Sequence, residues 1–97
     1  MNTREEILQK LAELKPQVQA RYKATQIGLF GSFIRREQDQ ASDVDLLVDF
    51  EEGADLFDFV GLASFLEEQL QRKVDLVTRR ALRPELREQI LEQVEMV

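Results

Sequence analysis

The segment Ser42-Asp43-Val44-Asp45-Leu46-Leu47-Val48-Asp49-Phe50 constrains the fold more than any other part of the chain. Successive side chains of an extended strand point to opposite faces. Over Asp43 to Phe50 this sends Val44, Leu46, Val48 and Phe50 one way and Asp43, Asp45, Leu47 and Asp49 the other. The apolar face has to be covered, so a strand of this kind implies a sheet with helices packed on it.

The flanking segments supply those partners. Thr3-Arg4-Glu5-Glu6 has the spacing of a capping box, and Ile7, Leu11, Leu14 and Val18 follow as one helical stripe. Pro16 falls inside that stripe, so a kink or an end near Lys15 is expected. Gln26 to Phe30 reads as a short strand that stops at Gly31-Ser32, a tight turn, and Ile34 to Gln40 as a short helix. After the turn Glu51-Glu52-Gly53, Asp55 is a plausible N-cap for a helix from Leu56 to about Gln71. Its core stripe would be Leu56, Phe59, Val60, Ala63, Leu66 and Leu70. Phe57, Phe59 and Phe65 cannot all face one core from a single helix, which leaves at least one for a partner or for solvent. Val74 to Val77 is a third short strand. Pro84 suits the first turn of a last helix, with Leu86, Ile90, Leu91, Val94 and Val97 as its stripe. The expected architecture is α/β (α+β), a small mixed β-sheet flanked by helices, with residues 1–97 forming one domain.

Composition closes several chemistries. The 97 residues include no Cys and no His, so thiolate nucleophiles, zinc-thiolate sites and an imidazole base are excluded within this chain. Hard-metal chemistry on carboxylates stays open. A formal net charge of −6 argues against direct nucleic-acid binding, which needs an electropositive footprint. No run approaches a membrane span and the first residues lack a signal-peptide core, so a cytoplasmic location is expected.

Asp43 and Asp45 are the candidate chemical groups. As i and i+2 on a strand they share a face, with Cα atoms about 6.6 Å apart from the strand rise, and flexible carboxylates at that spacing can converge on one cation or a close pair. Without a cation they repel and raise one pKa. Gly31-Ser32 stands eleven residues upstream of Asp43; its glycine would admit a phosphate close to the backbone, and the serine hydroxyl could hold a phosphate oxygen. Asp75 lies opposite Val74 and Leu76 in its own strand and joins the acids if that strand pairs with Asp43–Phe50 with matching faces. Arg72, Lys73, Arg79, Arg80 and Arg83 form a basic cluster around the third strand, read mainly as a solvated rim.

Gly31-Ser32-Phe33-Ile34-Arg35 followed by Ser42-Asp43-Val44-Asp45-Leu46-Leu47-Val48 resembles the signature of the polymerase-beta-like nucleotidyltransferase superfamily. Within it the chain is similar to minimal nucleotidyltransferase (MNT) proteins, the antitoxins of HEPN/MNT toxin–antitoxin pairs. The resemblance implies Mg²⁺-dependent transfer of AMP from ATP to a hydroxyl, in this family a tyrosine of the partner HEPN ribonuclease, which is thereby silenced. It implies that Asp43, Asp45 and Asp75 are the catalytic and metal-binding acids, holding two Mg²⁺ ions, and that Gly31, Ser32 and Arg35 hold the nucleotide. The family often has a small residue before that arginine and a glycine after it; Ile34 and Arg36 stand there in this chain. Two other readings differ in class. A non-catalytic binding module would neutralise its toxin by occlusion alone, and a small-molecule nucleotidyltransferase would need an acceptor domain that the length does not accommodate.

Overall fold

The computed structural model describes residues 3–97, which form three helices and a four-stranded sheet. In chain order these are α1 (Arg4–Tyr22), β1 (Ala24–Phe30), a 3₁₀ turn (Gly31–Phe33), β2 (Val44–Phe50), α2 (Leu56–Leu70), β3 (Val74–Thr78), a second 3₁₀ turn (Arg79–Ala81), α3 (Pro84–Gln93) and β4 (Glu95–Met96). The strand order is β3-β2-β1-β4. β1 pairs antiparallel with β2 and β4, whereas β2 and β3 are parallel, so the sheet is mixed as expected.

β2 is central, and its alternation decides the layering. Val44, Leu46 and Val48 are fully buried in the main core with Ile7, Leu11, Leu14 and Val18 of α1 and Leu62, Leu66 and Leu70 of α2. Burying an aliphatic side chain contributes about 1.5–3 kcal/mol, so the α1 stripe alone is a large driving force. On the opposite face Leu47 joins Phe30 and Leu82 in a smaller cluster, sealed by Val77, Ile90, Leu91 and Val94. α3 therefore covers one half of that face, and Asp45 occupies the uncovered half.

Caps set the helix ends. Thr3 Oγ1 accepts from the Glu6 N–H at 3.2 Å, and Asp55 and Asp58 complete a reciprocal capping box on α2. Both α1 and α2 close on a residue in the left-handed region, Lys23 and Gln71.

Four expectations are corrected. α1 does not end near Lys15 but runs through Pro16 to Tyr22; Ala12 and Pro16 both face solvent, so water can take the carbonyl that the proline leaves unbonded. Ile34 to Gln40 is turn and irregular chain, not helix, because the polar segment has no stripe to bury. Leu56 and Val60 are not core residues: they are 72% and 53% exposed, beside Phe57 at 86%. Leu56 lines an open cleft instead of packing on the sheet. Finally, Val94 and Val97 do not prolong α3. The backbone turns extended at Val94, and β4 adds to the free edge of β1, with the Val97 N–H donating to the Ile27 carbonyl at 3.0 Å. Gly28 makes that seat, since a Cβ there would lie 2.4 Å from Met96 Sδ and 2.9 Å from Val94 Cγ2. Lys15 Nζ also donates to the Val97 carbonyl, and Arg4 pairs with Glu95.

Candidate active site

The parallel pairing of β2 and β3 places Asp45 directly opposite Asp75. Matching faces follow from the register, so the two carboxylates stand side by side on adjacent strands. Asp43 lies just before the first residue of β2, exposed at the same rim. Phe30, the last residue of β1, pairs with Asp45 from the other side and delivers the chain into the Gly31 turn. Thus the turn after β1 and the starts of β2 and β3 meet at one end of the sheet.

Gly31 and Asp45 are in tight contact. Gly31 has φ +78°, and a Cβ at this position would lie 2.1 Å from Asp45 Oδ2 and 2.9 Å from its Cγ. The glycine is required twice over, by the left-handed backbone and by the carboxylate packed against it. The glycine leaves room for Asp45, and its own N–H donates to Gln93 Oε1 at 3.2 Å. Ser32 follows, half-buried in the 3₁₀ turn. Arg35 is exposed; its Nε donates to Glu37 at 3.1 Å and its Nη1 to Gln93 Oε1 at 3.3 Å.

Arg36 answers the question raised by the missing glycine. It has φ +58°, so the backbone adopts the conformation a glycine would favour and an arginine carries the steric cost. Its guanidinium reaches Glu5 of α1 at 2.8 Å and holds that carboxyl below its ordinary pKa.

Electrostatics single out Asp45. Burial pushes its pKa from 3.8 to about 6, the negative charges of Asp75 and Asp43 push the same way, and Arg35 opposes them. A carboxylate cluster of this kind gains from a cation. Its donors are all carboxylate oxygens, the type preferred by hard divalent ions. Among the described residues no three acidic side chains already close into a metal cage, so the match lies in donor chemistry and strand register.

The basic cluster serves other ends. Arg72 Nη1 donates to the carbonyls of Asp39, Gln40 and Ser42, and its guanidinium lies 5.1 Å from the Phe33 ring centroid. It laces the loop before Asp43 to the sheet. Arg79 Nε bonds both carboxylate oxygens of Asp49, at 3.0 and 2.9 Å. Arg80 and Arg83 are exposed. The cleft of about 890 Å³ beneath Leu56 and Phe59 opens at the opposite end of β2 and is lined by neither Asp45 nor Asp75. Gln93 went unnoticed in the sequence, because it acts across 62 positions and no local pattern marks it; Arg72 was read only as part of the solvated rim, and its bonds to the loop before Asp43 were not foreseen.

The nucleotidyltransferase domain family matches residues 11–97. The chain belongs to this family. The resemblance carried by Gly31-Ser32 and the Asp-x-Asp strand is borne out, and the molecule is an enzyme of the nucleotidyltransferase class. It is 40% identical over 94 residues to protein adenylyltransferase MntA of Thermococcus cleftensis, covering 97% of this chain and 95% of that protein. A solved structure described as a minimal nucleotidyltransferase has 42% identity and a TM-score of 0.79, covering 93% of this chain and 92% of the other. Two solved toxin–antitoxin complexes are also similar. One, with AMP-PNP, has 29% identity and a TM-score of 0.66, covering 96% of this chain and 70% of its counterpart. The other, a tri-AMPylated Shewanella oneidensis HEPN toxin with MNT antitoxin, has 26% identity and a TM-score of 0.66, covering 97% and 71%.

Proposed function

We propose that this nucleotidyltransferase is a protein adenylyltransferase that moves AMP from ATP to a hydroxyl, in our reading a tyrosine, of a cognate HEPN ribonuclease, and so acts as an antitoxin in the cytoplasm. The observation that carries the reading is the identity to MntA along nearly the whole chain. The carboxylate cluster supplies chemistry to match. We take residues 1–97 as one minimal nucleotidyltransferase domain, with the acceptor hydroxyl provided by the partner protein. Among the described residues no helix is long and apolar enough to cross a membrane.

Transfer forms a bond from the acceptor oxygen to the α-phosphorus and breaks the bond to pyrophosphate. Asp43, Asp45 and Asp75 would hold Mg²⁺. When bound there, two Mg²⁺ ions neutralise the triphosphate and make the acceptor hydroxyl more acidic. Asp75, exposed at the rim, accepts the hydroxyl proton, a carboxylate serving because no His is present. The Ser32 hydroxyl and the Arg35 guanidinium bind phosphate oxygens, Arg35 as a charge-assisted donor. Gly31 allows Asp45 to sit against the turn, which brings the acid and the phosphate-binding groups to one place.

The test is label transfer from α-³²P-ATP to the co-encoded partner, with MgCl₂ and with EDTA. The reading predicts label on the partner only when the metal is present, and none with Asp43→Asn/Asp45→Asn. Label that persists in the double variant would refute the assignment of these acids.

A further inference from the structure

Gln93 stands in the last turn of α3, yet its side-chain carbonyl accepts two hydrogen bonds from the Gly31 turn. One comes from the Gly31 N–H at 3.2 Å and the other from Arg35 Nη1 at 3.3 Å. Its amide nitrogen donates to the Gln89 carbonyl at 3.4 Å, so the amide has a defined sense, with its acceptor end facing two donors. Gln93 is half-buried, whereas Glu37, the other group on Arg35, is exposed. An exposed pair of that kind is worth little.

We infer that Gln93 is a positioning residue for nucleotide binding, directing Arg35 toward the triphosphate. The inference rests on the phosphate-binding role given to Arg35 above. Its neutrality matters. An amide oxygen orients a guanidinium while leaving the positive charge free for phosphate, whereas a carboxylate at the same place would compete for that charge. Loss of the acceptor leaves the Gly31 N–H and one arm of Arg35 without their partner, and hydrogen bonds to charged groups are the ones that cost most when lost.

The experiment compares the wild type, Gln93→Leu, Gln93→Glu, Arg35→Ala and Arg35→Ala/Gln93→Leu. It measures Kd for ATP by titration calorimetry with MgCl₂, KM and kcat for transfer to the co-encoded partner, and Tm. Gln93→Leu is expected to weaken ATP binding and raise KM about tenfold. Gln93→Glu keeps an acceptor for both donors, yet raises KM for ATP because its charge occupies Arg35. In the Arg35→Ala background the further rise from Gln93→Leu should fall below about twofold, since coupled groups are not additive. An unchanged KM in both single variants, or the same tenfold rise with and without Arg35, overturns the inference while the wild type still transfers AMP. A wild type that binds no ATP overturns the nucleotidyl-transfer role of Arg35 itself, and the inference with it.

Discussion

Replacing Asp45 by asparagine should stabilise the metal-free fold while abolishing transfer. Burial, with the charges of Asp75 and Asp43, moves the Asp45 pKa from 3.8 to about 6. A raised carboxylate pKa means that the native state binds the proton more tightly than the unfolded chain does. Stability then falls as pH rises from about 4 to 6, and the penalty is constant above that window. At 1.36 kcal/mol per pKa unit the full shift corresponds to about 3 kcal/mol. Asp45 is only half-buried, so solvent screening reduces this to about 1–1.5 kcal/mol. Asparagine cannot ionise and escapes the penalty, so at pH 7.5 in EDTA its Tm should exceed the wild type by about 4–8 °C, the usual response of a domain this size to about 1 kcal/mol. At pH 4 the difference should shrink to about a third. Circular-dichroism melts of both proteins from pH 4 to 8 provide the measurement. An Asn variant no more stable than the wild type at pH 7.5, or equally favoured at pH 4 and pH 7.5, would refute the electrostatic account of the cluster.

Other perturbations probe the turn and the helices. Gly31→Ala should cost about 2–3 kcal/mol, from the left-handed φ and from its Cβ overlapping Asp45 Oδ2. Displacing that carboxylate should lower transfer at least about 100-fold, and adding Asp45→Ala should recover the overlap part of the stability loss in urea titrations. Pro16→Ala should stabilise by about 1–2 kcal/mol, since the helix already continues through this position and alanine restores the missing donor; a lower denaturation midpoint would contradict it. Arg36→Gly should change stability by less than about 1 kcal/mol, because relief at φ +58° is set against loss of the exposed Glu5 pair. A Tm drop of more than about 6 °C would show that the arginine holds the turn by other means.

How much was legible can be judged residue by residue. The alternation in β2 placed Val44, Leu46 and Val48 inside and Asp45 at the rim, and the same period in β3 put Asp75 on the matching face; the parallel register then joined them. Period-two and helical stripes report burial wherever a partner layer exists. They fail where it does not: Leu56 and Val60 have the right spacing, but both stay exposed, Leu56 on the wall of an open cleft. β4 is two residues long, too short for any periodicity, and its apolar flanks read as the tail of α3. Gly28 was its one trace, an isolated glycine within a strand that marks the close approach of another backbone. Pro16 misled because local propensity yields to the packing of Ile7, Leu11, Leu14 and Val18. Gln93 is a polar residue at a helix end, and only the tertiary fold brings it to Gly31.

The central claim is that the carboxylate rim transfers AMP to a protein. Its most direct test is intact-mass spectrometry of the HEPN protein proposed as its partner after incubation with this protein, MgCl₂ and ATP, beside Asp43→Asn/Asp45→Asn. The account predicts added mass in whole AMP increments, lying on a tyrosine after peptide mapping, with the native protein alone. An unmodified partner, held equally tightly by the native and variant proteins, would contradict it and point to neutralisation by occlusion.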